Sequence, residues 1–200
     1  MKPKLQFWFE FASTYSYLSA MRIDAVAEGE GVDVVWMPFL LGPVFAKQGL
    51  KTSPFLVVPD KYSYMEADIN RLAEERGLKF SIPPSFPQNG LHAARLALIG
   101  LEEDWGRDFC RKTYLAQFDE GQDIADKAVL NTVLASCAED PEAAFAASVT
   151  DENKQRLKDR SREVDRLKIF GAPTFITEKG TLFWGDDRLE QAISYALKDA

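Results

Sequence analysis

Ser13 and Ser16 stand three residues apart, just after the apolar run Leu5-Gln6-Phe7-Trp8-Phe9, where a strand gives way to a helix. A serine in the place of Ser13 caps the helix, and its hydroxyl and the first helical amides converge on one spot. The positive end of the helix dipole favours an anion there by roughly 0.3 to 1 kcal/mol, which lowers the pKa of a bound thiol. Ser13 can therefore donate to a sulfur that the chain does not own. Two cysteines at this spacing would do redox work, whereas serines cannot form a disulfide. The chemistry then points to a thiol brought by a cofactor, glutathione, rather than to dithiol exchange. The competing reading is that Ser13 only caps its helix.

A nucleophilic serine would need a histidine. The single one, His92, sits at helix spacing in Leu91-His92-Ala93-Ala94-Arg95 with no acid nearby, and reads as a surface or packing residue. Two further segments can join Ser13. In Gly171-Ala172-Pro173-Thr174, a cis bond before Pro173 would turn the amide and carbonyl of Ala172 outward, able to pair with an extended peptide. In Trp184-Gly185-Asp186-Asp187-Arg188, Gly185 lets backbone approach closely, and Asp186 and Asp187 could accept from an ammonium group such as that of a γ-glutamyl moiety. Either aspartate could instead be the N-cap of the last helix.

The elements that must position these residues follow from periodicity. Residues 4–9 alternate and then turn aromatic, as a strand does, and a helix runs from Ser13 to about Glu28, stopped by Gly29 and Gly31. Residues 32–37 make a second strand, so the segment is a βαβ unit with parallel pairing. Helices follow at 43–48, 60–76, 91–101, 105–118, 127–137, 141–148 and 152–168, with Pro83, Pro84 and Pro87 in a rigid loop before the third. Strands at 173–176 and 181–184 flank Glu178-Lys179-Gly180, a hairpin signal, and a final helix covers 188–197. The expected fold is α/β: a thioredoxin-like βαβ-ββα sheet layer with a large all-helical insertion. The expected division is residues 1–40 plus 168–200 as a discontinuous ligand-binding domain and 41–167 as the insertion.

A chain of 200 residues with 46% hydrophobic content can bury a large core. A net charge of −7 argues against a nucleic-acid surface, which needs clustered Lys and Arg. No run approaches membrane-spanning length, and no signal peptide is recognised, so the cytoplasm is the expected compartment. The two cysteines, Cys110 and Cys137, read as buried thiols rather than a disulfide.

Six stretches in order resemble one family: Phe9-Glu10-Phe11-Ala12-Ser13-x-x-Ser16-Tyr17, Leu41-Gly42-Pro43-Val44-Phe45, Thr52-Ser53-Pro54-Phe55, Ser85-Phe86-Pro87-Gln88-Asn89, Phe170-Gly171-Ala172-Pro173-Thr174-Phe175 and Phe183-Trp184-Gly185-x-Asp187-Arg188-Leu189. Together they resemble the 2-hydroxychromene-2-carboxylate isomerases, relatives of the kappa-class glutathione transferases and of the DsbA-type thioredoxin fold. The resemblance implies a homodimeric, glutathione-dependent isomerase of aromatic hydrocarbon catabolism, whose small aromatic substrate opens to trans-o-hydroxybenzylidenepyruvate. It implies that Ser13 supports the glutathione sulfur, that Ala172 and Pro173 present backbone to the peptide, and that Trp184, Gly185, Asp186 and Asp187 take the γ-glutamyl end.

Thr14 stands where the family commonly has proline, and the family's substrate lysine aligns nearer Ala46, with Lys47 one step later. Lys47, Ser53, Pro54 and Phe86 are the expected substrate residues. Lys51 and Arg95 are further candidates for a ligand carboxylate, and residues 39–45, Phe55, Tyr64 and Phe86 for an aromatic wall. No metal site is expected. A kappa-like transferase and a glutathione-binding protein without catalysis are the competing functions, while Ser13 with Ser16 speaks against a disulfide oxidoreductase.

Overall fold

The computed structural model describes residues 2–199. Four strands, β1 (Lys4–Phe9), β2 (Asp33–Pro38), β3 (Thr174–Thr177) and β4 (Leu182–Trp184), form one sheet in the order β2-β1-β3-β4. β1 pairs parallel with β2, bringing Phe7 opposite Trp36, and antiparallel with β3, bringing Phe7 opposite Phe175. β3 and β4 form the expected hairpin, in which Gly180 takes a φ of 87° that favours glycine and its N–H closes on the Thr177 carbonyl at 2.9 Å. This is the thioredoxin-like βαβ-ββα layer that the strand pattern predicts.

β1 lies between two partners and is apolar on both faces, as a central strand must be. Leu5, Phe7 and Phe9 join Trp36 and Phe175 in the larger core. Trp8 points the other way, into a smaller cluster with Met37, Phe39, Val164 and Ile176.

Eight helices lie between β2 and β3: α3 (Leu41–Lys47), α4 (Pro54–Val57), α5 (Pro59–Glu75), α6 (Leu91–Gly100), α7 (Gly106–Phe118), α8 (Lys127–Ala135), α9 (Pro141–Ser148) and α10 (Asp151–Arg166). The larger core runs without a break from β1 into these helices through Met65, Phe109, Tyr114 and Phe118. Sheet and insertion are thus held by one shared apolar cluster. α4 is a short helix that periodicity did not indicate; Ser53 caps it and Pro54 opens it.

The helix expected over 13–28 is two: α1 (Thr14–Ala20) and α2 (Ile23–Gly29). Arg22 leaves the helical region at φ −128°, and its guanidinium reaches Asp186 and Glu190 in the C-terminal segment. The last helix, α11 (Leu189–Asp199), is preceded by a turn of 3-10 helix over Asp186–Arg188. Cys110 and Cys137 are free thiols, the first fully buried; burial pushes both up from the ordinary thiol range. No described helix is long and apolar enough to cross a membrane.

Candidate functional site

Ser13 caps α1 from the extended region, with φ −82° and ψ 113°. Its Oγ accepts from the Ser16 N–H at 3.2 Å and donates to the Ala172 carbonyl at 3.0 Å, across 159 residues of chain. The Ala172–Pro173 bond is cis. The Pro173 carbonyl is taken by the Gly185 N–H at 3.0 Å, and Thr174 Oγ1 donates to the Gly171 carbonyl at 2.9 Å. Among the described residues the Ala172 N–H has no hydrogen-bond partner, so the loop presents a free donor. Ser16 is fully buried, so the second serine faces the core and not the ligand side.

Ser13 and Ala172 open onto a cleft of about 670 Å³ between the sheet edge and the insertion, a size that suits a small-molecule ligand. Phe45, Ser53, Pro54, Phe55, Phe86 and Trp184 line it. Trp184 is half exposed and stacks obliquely on Phe170, with ring centroids 5.0 Å apart. A Cβ on Gly171 would lie 2.4 Å from the Trp184 indole nitrogen, so that glycine lets the indole lie against the loop.

Other expected residues lie elsewhere. Lys47 is exposed and pairs with Asp165 on α10, outside the cleft; the cations that do line the cleft are Lys51 and Lys61. Arg95 and His92 are on α6, away from the cleft, and His92 stacks on Phe145 of α9. Of the expected aromatic wall, Phe39 is buried beneath the sheet against Trp8, and Tyr64 faces outward.

Pro173, Gly185, Asp186 and Asp187 stand behind the lining. Neither aspartate stands before the segment as its cap: Gly185, at φ 109°, holds the N-cap position of the 3-10 turn over Asp186–Arg188, which runs directly into α11. Asp186 is buried and engaged on all sides: Ser19 Oγ donates to it at 2.8 Å, Arg76 at 2.6 Å, and Arg22 at 3.4 Å. Asp187 is exposed beside Arg188. Asp186 thus clamps the Trp184–Gly185 segment to α1 and to Arg76 at the end of α5, and of the two aspartates only Asp187 is exposed, where it pairs with Arg188.

Two charged lining residues escaped the sequence reading. Lys61 falls outside the apolar stripe of α5, and so had the look of a solvated face. Glu10 is the one acid in an aromatic run and lines the cleft although it is only 6% exposed. Ala12 N–H donates to its Oε2 at 2.9 Å, yet desolvation outweighs that bond and pushes the carboxyl up to about 8. An isolated acid in the aromatic run that ends β1 was the signal that could have marked it. Tyr15, also on the wall, donates to Asp68 at 2.9 Å; burial and that carboxylate push its phenol above the ordinary range.

Comparison with known proteins agrees with this architecture. The chain is 27% identical over 203 residues to 2-hydroxychromene-2-carboxylate isomerase of Sphingobium xenophagum, spanning 98% of this chain and all of that one. A solved 2-hydroxychromene-2-carboxylate isomerase superposes with a TM-score of 0.86 at 20% identity, covering 98% of this chain and 95% of the other. The cytosolic disulfide reductase DsbM from Pseudomonas aeruginosa, solved with GSH, superposes at 0.67 with 20% identity, over 98% and 96% of the two chains. The DSBA-like thioredoxin domain matches residues 4–197, nearly the whole chain. The chain belongs to the family of DSBA-like thioredoxin domains.

Proposed function

We propose that this protein is a glutathione-dependent isomerase acting on a 2-hydroxychromene-2-carboxylate-like aromatic acid. One observation carries the reading: the redox position of the fold holds Ser13, hydrogen-bonded to the loop before a cis proline, in a chain similar along its whole length to such an isomerase. The donor set fits the tripeptide. Ala172 offers a free N–H and a carbonyl to an extended backbone, and Ser13 offers a hydroxyl to a sulfur. When bound, glutathione supplies an ionised thiol as nucleophile.

The chain's own residues hold and orient. Ser13 donates to the sulfur and keeps it ionised. Phe45, Phe55 and Phe86 cover a planar ring and exclude water, and Lys51 and Lys61 attract its carboxylate. Asp187 is the remaining acid for the γ-glutamyl ammonium. A homodimer in an aromatic-degradation pathway completes the proposal.

A disulfide reductase, the activity named for DsbM, is disfavoured because both thiols lie outside the cleft. Calorimetric titration with reduced glutathione, followed by turnover of a chromene substrate, tests the reading. Saturable binding with isomerisation and no consumption of glutathione is expected. A durable thioether with chlorodinitrobenzene and no isomerisation would point to a transferase, and reduction of insulin to an oxidoreductase.

A further inference from the structure

Among the described residues Glu10 is the one carboxyl that reaches the cleft from inside the core. It is fixed from three sides. Its carbonyl accepts from Ser13 N–H at 3.1 Å and from the Tyr114 hydroxyl at 2.9 Å, and its Oε2 accepts from Ala12 N–H at 2.9 Å. Among the described residues no donor reaches Oε1 and no cation pairs with the group. A Cβ on Gly90 would lie 3.2 Å from Oε1 and from Phe11 Cβ, so the start of α6 leaves room for this carboxyl and little else.

The titratable groups around it are few: Tyr114 from α7, Tyr15 from α1, and Lys51 and Lys61 on the far wall of the same cleft. α6 and the loop before it present no titratable side chain to the cleft, only Phe86, Pro87, Gln88, Asn89 and Gly90. A carboxyl so placed, without a counter-charge, is stable only as the neutral acid.

We propose that Glu10 is the general acid of the cleft, a neutral carboxyl that hands its Oε1 side proton to the ring oxygen of the substrate as the ring opens. The proposal rests on the isomerase reading. In a 2-hydroxychromene-2-carboxylate the ring oxygen and the hydroxyl share one carbon. When the bond from that carbon to the ring oxygen breaks, the electron pair stays on the oxygen, which takes the Glu10 proton and becomes a phenol. The geminal hydroxyl becomes the ketone by giving its proton to the Glu10 carboxylate. Nothing is oxidised or reduced, and Glu10 ends as it began.

Infrared pH titration of the ligand-free protein tests the first half. Wild type is expected to carry a protonated-acid carbonyl band at neutral pH that disappears as pH rises through about 8 and is missing in Glu10→Gln. Absence of that band in wild type overturns the proposal whatever the enzyme does. Turnover tests the second half: Glu10→Gln should lose about 100-fold or more in kcat, keep its glutathione affinity within about 2-fold, and lack the decline in rate above about pH 8 that is expected of wild type. Glu10→Asp, which restores an acid, should recover part of the rate. A Gln variant with wild-type kcat and the same alkaline decline reduces Glu10 to a brace for its loop and overturns the proposal alone. Wild type that carries the band but never isomerises a chromene with glutathione overturns the isomerase reading, and the proposal with it.

Discussion

The Ser13 hydroxyl donates its only proton to the Ala172 carbonyl, 3.0 Å away. The two groups expected to hold the cofactor are therefore joined to each other in the ligand-free protein. A ligand N–H arriving at the Ala172 carbonyl competes for that acceptor and frees the serine proton for a sulfur. If glutathione binds as proposed, backbone pairing and thiolate stabilisation would be coupled through one hydroxyl rotation. A glutathione analogue methylated on its cysteinyl nitrogen should then bind about tenfold more weakly, the cost of roughly one hydrogen bond. Its bound thiol should also ionise at higher pH than that of glutathione itself, as read by thiolate absorbance. Equal ionisation of the two bound thiols would break the coupling.

Ser13→Ala separates the capping role from the chemical one. Loss of the bond to Ser16 N–H should cost about 1 kcal/mol of stability, the usual value of an N-cap, seen in urea denaturation. Loss of the donor to sulfur should raise the bound thiol's pKa and lower kcat by tenfold or more, about 1.4 kcal/mol. A variant that loses stability but turns over at the wild-type rate would leave Ser13 as a cap alone.

What the sequence made legible was local. β1, the β3–β4 hairpin and the α9 and α10 starts are written in short-range patterning and capping residues, and the structure places each within a residue or two. Ser13 and Ala172 could be paired from sequence because the fold class brings a strand end and a proline loop together. The break between α1 and α2 could not be seen, because the partners of Arg22 lie 164 and 168 residues away. Asp186 carries the same local signature as a helix cap; only the arrival of Arg76 and Arg22 makes it a buried clamp. Lys47 turns from the cleft because α3 lies against α10, a contact that no window of sequence contains.

That clamp separates two neighbouring aspartates. Asp186→Asn removes the charge facing two guanidiniums that are themselves about one-fifth exposed, and should cost roughly 2 to 4 kcal/mol, somewhat under the range for a fully buried pair. Trp184 fluorescence should report the loosened segment. Asp187→Ala, at an exposed site, should stay within about 0.5 kcal/mol of wild type while weakening glutathione binding. Unchanged affinity for glutathione in Asp187→Ala would remove it from the site.

The cations make a similar contrast. Lys47→Ala should leave KM for the aromatic acid unchanged and stability within about 1 kcal/mol, since its pair with Asp165 is on the surface. Lys51→Ala and Lys61→Ala should each raise that KM severalfold, more at low ionic strength than at high. An effect on KM from Lys47 but not from Lys51 or Lys61 would reverse the placement of the substrate carboxylate.

Glu10 also leaves a mark on stability that needs no ligand. Its carboxyl is pushed up from 4.5 to about 8 in the folded protein by burial, so between those values the folded state binds a proton that the unfolded chain has released. A raised pKa of this kind means stability that is fully present below about pH 4.5 and lost as pH rises to about 8, with no further loss beyond. At roughly 1.4 kcal/mol per pH unit the total is several kcal/mol. Glu10→Gln has no proton to lose, so the difference in unfolding free energy between variant and wild type should grow in favour of the variant from pH 5 to about 8 and then stay level. Urea midpoints measured across that window decide the point: two curves that run parallel would mean that Glu10 is already ionised in the folded protein, and that Ala12 N–H, not desolvation, sets its charge.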